Sequence, residues 1–237
     1  MKSAILIAGG KGERLRPLTK DKPKAMISVM GRPIISYLLQ WLEAYGVRNI
    51  IISCGYLHEV IQEYFGNGNR FNLNIQYVIE ENPLGRGGGI KQAMKQLDNS
   101  NDSILALNAD AITNLNLTEF YNFHKHNQGM ASLVSVPLIS SYGIVDIEKD
   151  NNVISFREKP ELPFWINAGI YIFEREIFNL LPDIGDHETT TFPELTSKKQ
   201  LKAFKTTSFW RSVDTVKDLE ELRKELEGLF FGSFFKM

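Results

Sequence analysis

Glycine and basic residues follow the first apolar segment of the chain. Residues 4–8 form a continuous apolar run, which predicts a strand buried on both faces in a parallel sheet. Three glycines come next, and the absence of a Cβ lets their backbone N–H groups approach phosphate oxygens. Basic side chains bring positive charge to the same place. These features predict a triphosphate-binding loop that contains Gly9, Gly10, Gly12, Lys11, Arg14, Arg16 and Lys24.

Two common phosphate-binding motifs do not fit this loop. A Walker loop closes with Gly-Lys followed by Ser or Thr, and the segment has no such sequence. The dinucleotide-binding fingerprint needs a helix directly after the glycines, and Pro17 would break that helix. Residues 8–19, Ala-Gly-Gly-Lys-Gly-Glu-Arg-Leu-Arg-Pro-Leu-Thr, with Pro23-Lys24 after them, instead resemble the signature of the sugar-1-phosphate nucleotidylyltransferases.

The resemblance implies an activity and a set of phosphate-binding residues. Enzymes of this family join a nucleoside triphosphate (NTP) to a sugar 1-phosphate and release pyrophosphate. Lys24 and Arg14 are the expected catalytic residues on the reacting phosphates, because a lysine ammonium can follow the α-phosphate through the transition state. The expected nucleotide-binding residues of the loop are Ala8, Gly9, Gly10, Lys11, Gly12, Glu13 and Arg14.

The family also implies a magnesium ion held by two aspartates. Asp110 follows a predicted buried strand and is expected to be both catalytic and a metal ligand, since carboxylate oxygens suit Mg²⁺. The second ligand is expected near the C-terminus, where the commonest family pattern is Asp-Ile-Gly-Thr. Here Ser212 takes the usual aspartate position. The segment is similar to the Trp-x-x-x-Asp-Thr form of glucose-1-phosphate cytidylyltransferases, which makes Asp214 the expected ligand.

Residues 80–89, Glu-Glu-Asn-Pro-Leu-Gly-Arg-Gly-Gly-Gly, are the expected base pocket. A carboxylate at a strand end can accept two parallel hydrogen bonds, and guanine offers such a pair of donors. The segment resembles the Pro-Leu-Gly-Thr loops of mannose- and heptose-1-phosphate guanylyltransferases, with Arg86 at the usual Thr. It also resembles uridylyltransferases that act on N-acetylmuramate phosphate. GTP is the first hypothesis and UTP or CTP the alternatives, with Glu80, Gly85 and Asn108 as expected nucleotide-binding residues.

Three further segments resemble the sugar side of the family. Tyr142-Gly143 begins a predicted hairpin, where Gly143 would let the backbone approach a sugar hydroxyl. In Glu158-Lys159-Pro160 the glutamate would hold sugar hydroxyls and the lysine the sugar phosphate. Asn167-Ala168-Gly169 matches the Asn-x-Gly that lines the sugar. The expected sugar-binding residues are therefore Gly143, Glu158, Lys159, Asn167 and Gly169.

Composition excludes several other classes of protein. The formal net charge is −1, so no overall basic field indicates a nucleic-acid partner. Cys54 is the single cysteine, which leaves no intrachain disulfide and no zinc cluster. The sequence has neither a signal peptide nor an apolar stretch near the roughly 20 residues that span a bilayer. The prediction is a cytoplasmic enzyme without a membrane partner, and the rival hypothesis is a catalytically inactive, regulatory nucleotide-sugar-binding protein.

Apolar runs alternate with segments of helical spacing through the first half of the chain. Strands are predicted near residues 4–8, 49–54, 73–79 and 103–107, and helices near 34–45, 59–65 and 89–97. This alternation predicts an α/β, Rossmann-like parallel or mixed sheet flanked by helices, the nucleotide-diphospho-sugar transferase fold. The predicted site segments follow strands and would meet at one sheet edge.

The second half is predicted to complete the site within one domain. Strands are expected near residues 130–137, 166–173 and 201–204, with a hairpin over 142–156 and helices over 174–181 and 215–227. The predicted domain, 1–237, comprises a nucleotide-binding half (1–130), a sugar-binding lobe (131–227) and an aromatic tail (228–237). The tail is expected to fold back on its own domain, and the alternative is a homodimer contact, because clustered exposed aromatic residues mark interfaces.

Overall fold

The computed structural model describes residues 1–97 and 103–230 of the chain. Its first half alternates strands and helices at the predicted places. The elements are β1 (Ser3–Ile7), β2 (Ser28–Val29), β3 (Arg32–Pro33), α1 (Ile34–Ala44), β4 (Asn49–Cys54), α2 (His58–Phe65), β5 (Asn74–Ile79), α3 (Gly85–Met94), β6 (Ser103–Asn108), β7 (Ala111–Thr113) and α4 (Leu117–Asn127).

Strands dominate the second half. Its elements are β8 (Ala131–Ile139), β9 (Ile144–Ile147), β10 (Val153–Arg157), β11 (Glu161–Glu174), α5 (Thr191–Ser197), β12 (Leu201–Lys205), β13 (Trp210–Ser212) and α6 (Val216–Phe230). The predicted hairpin is present as the antiparallel pair β9 and β10. Residues 231–237 lie outside the described part of the chain, and with them most of the predicted aromatic tail.

A seven-stranded sheet forms the centre of the molecule, in the order β12-β8-β11-β6-β1-β4-β5. The β6, β1, β4 and β5 strands run parallel to one another, and β11 runs antiparallel to both β6 and β8. The sheet therefore contains strands from both halves of the chain. The predicted α/β fold with a mixed sheet is confirmed.

Alternate side chains of the central strands supply the two cores. Leu6 of β1 packs with Ile50 and Ile52 of β4 and with helices α1 and α2. Ile5 and Ile51 point to the opposite face, where α3 covers the sheet. Both faces are buried, which is why residues 4–7 of β1 and residues 50–52 of β4 are uninterrupted apolar runs. Among the described residues, no helix combines the length and the apolar character needed to cross a membrane.

Helix α3 begins four residues earlier than predicted. The sequence placed its start at Gly89, but the helix includes Gly85 and the glycines after it. Glycine has a low helix propensity, so local sequence disfavours this start. Close packing explains it: a Cβ on Gly87 would lie 2.8 Å from the backbone nitrogen of His187, and one on Gly88 would lie 2.5 Å from the Asp183 carbonyl oxygen.

Several other elements differ from their predictions. The helix predicted over 174–181 is a short 3₁₀ helix, Arg175–Asn179. The strand predicted over 166–173 is the C-terminal part of the longer β11. Six of the labelled elements, β2, β3, β7, α4, α5 and β13, have no counterpart in the sequence predictions. Of these, β7 and β13 pair with each other and lie beside two of the predicted site residues.

Candidate active site

The carboxyl ends of three parallel strands bring the predicted site segments to one edge of the sheet. The glycine-rich loop follows β1, Glu80 follows β5, and Asp110 follows β6. Ala8, at the start of the loop, donates its backbone N–H to the Ser53 carbonyl oxygen at 2.7 Å and so ties the loop to β4. The convergence predicted from topology is therefore present in the structure.

The glycine-rich loop turns through Gly12 into a 3₁₀ helix, Glu13–Leu15. Gly12 has φ +64°, and a Cβ there would lie 2.9 Å from the Thr19 methyl carbon. The Thr19 hydroxyl donates to the Gly12 carbonyl oxygen at 2.8 Å, which fixes the loop from its inner side. A Cβ on Gly10 would meet nothing within 4 Å. The outer side of the loop is therefore open to a ligand.

Lys24 joins the two predicted metal-binding aspartates. Its ammonium nitrogen Nζ lies 2.5 Å from Asp110 Oδ2 and 2.7 Å from Asp214 Oδ1. The lysine side chain is only 12% exposed. Burial alone would lower the pKa of Lys24, but the charges of the two carboxylates outweigh it and raise that pKa above its ordinary value. The lysine is thus a fixed positive charge at the site.

Three different parts of the chain position this cluster. Pro23 precedes the short 3₁₀ helix that begins at Lys24, and Asp110 lies between β6 and β7. Asp214 lies between β13 and α6, so the pairing of β13 with β7 brings the two aspartates together. The sequence predicted the three residues but not the β7–β13 pair that joins their segments.

Asp214 has further partners in the same site. Burial by itself would raise the pKa of this carboxyl, but the hydrogen bond from Lys24 and the nearby Arg14 charge lower it below its ordinary range. Arg14 Nη2 lies 2.8 Å from Asp214 Oδ1. Ser212, which occupies the family's usual aspartate position, also contributes to the lowered pKa of Asp214.

Glu80 lies beneath two glycine-rich segments. Its Oε1 accepts a hydrogen bond from the Ser53 hydroxyl at 2.7 Å, and its Oε2 accepts from the Leu84 backbone N–H at 3.0 Å. A Cβ on Gly9 would lie 3.6 Å from this carboxylate, and one on Gly89 would lie 2.8 Å from it. Glu80 is thus close to the glycine-rich loop, as predicted, and also holds the base-pocket segment in place.

Two of the predicted sugar residues lie against the nucleotide side of the site. The pairing of β11 with β8 is interrupted between Asn167 and Tyr171, and Gly169 there has φ +71°. A Cβ on Gly169 would lie about 2.4 Å from the Asn108 side-chain nitrogen. This contact joins the Asn-x-Gly segment to the strand end that carries Asp110. Asn108, predicted to bind the nucleotide, and Gly169, predicted to bind the sugar, are therefore in direct contact.

The remaining predicted sugar residues lie around the β9–β10 hairpin. A Cβ on Gly143 would lie 3.0 Å from Glu158 Oε2, so these two predicted residues are close together. Lys159 has φ +44° and forms an ion pair with Glu221 of α6, with Nζ and Oε1 2.9 Å apart. The lysine's described ion-pair partner is thus helix α6.

The contact between α3 and the 183–188 segment was not predicted from the sequence. The backbone N–H groups of Gly87 and Gly88 donate to the Gly185 carbonyl oxygen, at 2.9 and 3.2 Å. The Gly185 N–H donates to the Leu84 carbonyl oxygen at 2.7 Å. The two segments are 100 residues apart in sequence at Arg86 and Asp186, which are also hydrogen bonded. The only local signal was a polar loop that contains a glycine.

The chain belongs to the nucleotidyl transferase family, whose family model, Nucleotidyl transferase, matches residues 3–228. It is 35% identical over 223 residues to the mannose-1-phosphate guanylyltransferase of Mycobacterium tuberculosis, covering 91% of this chain and 62% of that protein. It therefore spans about three fifths of the length of this relative. The predicted family is confirmed.

One relative and one solved structure match over nearly their whole length. The D-glycero-alpha-D-manno-heptose 1-phosphate guanylyltransferase of Aneurinibacillus thermoaerophilus is 31% identical over 229 residues, which covers 94% of this chain and 98% of that protein. The crystal structure of HddC from Yersinia pseudotuberculosis complexed with GMP-PN has a TM-score of 0.76 and 27% identity. That match covers 95% of this chain and all of HddC.

Proposed function

We propose that this chain transfers the nucleotidyl group of an NTP to a sugar 1-phosphate, forming a nucleotide sugar and pyrophosphate. The observation that carries the proposal is the Lys24 ammonium, held between Asp110 and Asp214 at the edge of the glycine-rich loop. Membership of the nucleotidyl transferase family supports it. The first candidate substrates are GTP and a mannose- or heptose-type 1-phosphate, supported by the names of two similar proteins.

In the proposed reaction, an oxygen of the sugar phosphate attacks the α-phosphorus of the NTP. The bond from that phosphorus to the bridging oxygen of the β-phosphate breaks, and pyrophosphate leaves with the electron pair. Negative charge accumulates on the α-phosphate oxygens, so the protein contributes mainly position and electrostatic stabilisation. Lys24 would carry its fixed charge to the α-phosphate, and Arg14 with the N–H groups of Gly9 and Gly10 would bind the triphosphate.

The aspartate pair fits a magnesium ion. Two carboxylate oxygens converge on one cationic group, the Lys24 ammonium, so their geometry already suits a shared positive charge. No group of three or more His, Cys, Asp or Glu side chains suited to a metal occurs in residues 1–97 and 103–230. Mg²⁺ in nucleotide enzymes is usually held by one or two carboxylates together with phosphates and water. Asp110 and Asp214 would hold the ion, which would neutralise part of the triphosphate charge.

The other predicted residues are proposed to keep the roles that the sequence suggested. Glu80 would accept two hydrogen bonds from the base, and Asn108 and Gly85 would line the nucleotide. Lys11, Gly12, Glu13 and Ala8 would complete the phosphate loop. On the sugar side we propose Gly143, Glu158, Lys159, Asn167 and Gly169.

Pyrophosphate release tests the proposal directly. Each of GTP, UTP, CTP, ATP and dTTP is incubated with Mg²⁺ and a panel of sugar 1-phosphates, with and without a chelator. We expect release with one preferred pair, and a loss of two or more orders of magnitude in Lys24→Met, which removes one of the charges that stabilise the transition state. The matched control is Lys20→Met, an exposed lysine four residues earlier. Binding of an NTP without release for any pair would instead favour the regulatory hypothesis.

A further inference from the structure

Arg86 is held by two acidic side chains from the 183–188 segment. Its backbone N–H donates to Asp186 Oδ1 at 2.8 Å, and its guanidinium lies 3.3 Å from Asp186 Oδ2. The guanidinium Nη1 also lies 3.0 Å from Glu188 Oε1. Burial favours the neutral form of Arg86, but both carboxylates together raise its pKa. The arginine that replaces the family's usual threonine therefore holds the Glu188 carboxylate in place.

Glu188 is the last acceptor in a series of hydrogen bonds that all donate in the same direction. A carboxylate only accepts, so the Tyr171 hydroxyl must donate to Glu188 Oε1, at 3.3 Å. The hydroxyl proton is then committed, and Asn167 Nδ2 donates to the tyrosine oxygen at 2.8 Å. Asn167 Oδ1 in turn accepts from the Gly169 backbone N–H at 3.0 Å. Each bond sets the direction of the next one.

The other end of this series of hydrogen bonds lies at the predicted sugar site. Asn167 and Gly169 lie where the β11–β8 pairing is interrupted, and Gly169 contacts Asn108. Tyr171 is buried, whereas Asn167 is exposed. Buried Tyr171 and Gly169 and partly buried Glu188 thus fix which way one exposed amide faces.

We propose that Arg86 is a positioning residue that orients the Asn167 amide through Glu188 and Tyr171, and thereby sets the affinity for the sugar phosphate. The inference rests on the proposed function. Without the arginine, Glu188 loses the ion pair that holds its Oε1 beside Tyr171. When the carboxylate turns away, the Tyr171 hydroxyl is free to donate to Asn167 instead. The amide must then rotate to present its oxygen, which breaks the bond from Gly169. Loss of the side chain alone keeps the hydrogen bond from the Arg86 backbone N–H to Asp186 Oδ1, and with it the main-chain contact between the base-pocket segment and residues 183–188.

Steady-state kinetics separates this role from a structural one. We expect Arg86→Met and Tyr171→Phe each to raise the KM for the sugar 1-phosphate about three- to tenfold, the value of one oriented hydrogen bond. The KM for the NTP should stay within about twofold. Arg86→Lys should recover part of the loss, since it restores a charge beside Glu188. The double variant should be no worse than the single ones, because both break the same chain.

Lys91→Met is the matched control. Lys91 also joins α3 to the 183–188 segment, through an ion pair with Asp183 at 2.9 Å, but the described contacts of that pair do not lead to Tyr171. Its substitution should change neither KM. If Lys91→Met and Arg86→Met have the same effect, or if Arg86→Met raises only the KM for the NTP, the proposal is wrong.

A measurement without substrate keeps the two proposals apart. The Asn167 side-chain NH₂ signals, assigned with an Asn167→Asp variant, should shift in ¹⁵N-labelled Arg86→Met and stay in place in Lys91→Met. If no substrate pair releases pyrophosphate but these signals shift, the positioning role of Arg86 is supported and the proposed function is contradicted. If the signals do not shift in Arg86→Met, the positioning role of Arg86 is refuted, even in an active enzyme.

Discussion

Gly85 is a position where the effects of backbone conformation and of packing on stability can be measured separately. It has φ +73°, in the left-handed region that costs an ordinary residue about 1–2 kcal/mol. A Cβ at Gly85 would also lie 2.7 Å from the carbonyl carbon and oxygen of Gly185. Those are backbone atoms of the segment that clamps α3, so they cannot rotate away. Overpacking of this kind typically costs about 1–3 kcal/mol more.

Gly46 provides the matched control for Gly85→Ala. Its φ is also +73°, and a Cβ there would meet nothing within 4 Å. Gly46→Ala therefore carries the conformational cost alone, and the effect of alanine on the unfolded chain is the same at both positions. We expect urea unfolding to show Gly85→Ala less stable than Gly46→Ala by about 1–3 kcal/mol.

The same two variants can also be compared by their KM for the NTP. The bonds from Gly87 and Gly88 to the Gly185 carbonyl oxygen hold the predicted base pocket in place. Gly85→Ala should therefore raise the KM for the NTP, and Gly46→Ala should not. Equal unfolding midpoints for the two variants would refute the idea that contact with Gly185 fixes the start of α3.

Two further predictions concern charge and buried hydrogen bonds. Lys24 and Arg14 hold the pKa of Asp214 below its usual 3.8. The ionised carboxylate therefore stabilises the fold above pH 3.8, and this stabilisation is lost as the pH falls through the lowered pKa. Urea midpoints measured from about pH 5 downward should fall less steeply in Lys24→Met than in Lys20→Met. Ser132→Ala should cost about 1–3 kcal/mol, because buried His124 Nδ1 loses its 2.8 Å partner. His124 also bonds to Glu174, which pairs with Ser103 at the start of β6, the end of that strand opposite Asp110. Both KM values should therefore stay unchanged, and a change in either would contradict this placement.

Local patterns in the sequence were sufficient to predict the strands of the parallel half of the sheet. The aliphatic runs in β1, β4 and β6 are long enough to predict strands buried on both faces, and the structure has them there. Helix α4 was missed although Asn116 caps it, accepting hydrogen bonds from the backbone N–H groups of Thr118 and Glu119. Its buried side chains include His124, which a search for apolar periodicity does not count.

Contacts between distant segments account for what the sequence could not predict. Glycines 85–89 do not favour a helix, and α3 starts at Gly85 only because the 183–188 segment packs against it. The pairing of Arg86 with Glu188 likewise depends on that packing, so neither residue type alone indicates it. The glycine-rich loop, Lys24 and Asp110 could be identified because each follows directly from a motif or a strand end.

The position of Glu80 could be predicted from the sequence, but the orientation of its side chain could not. Its place at the end of β5 follows from the apolar run before it. The orientation of its carboxylate does not, because it is set by the Ser53 hydroxyl on Oε1 and the Leu84 N–H on Oε2. Each carboxylate oxygen can accept two hydrogen bonds, so both oxygens retain capacity for a ligand. A base with two parallel donors would meet a carboxylate whose rotamer freedom is already lost, and this preorganisation favours it over a base with one donor.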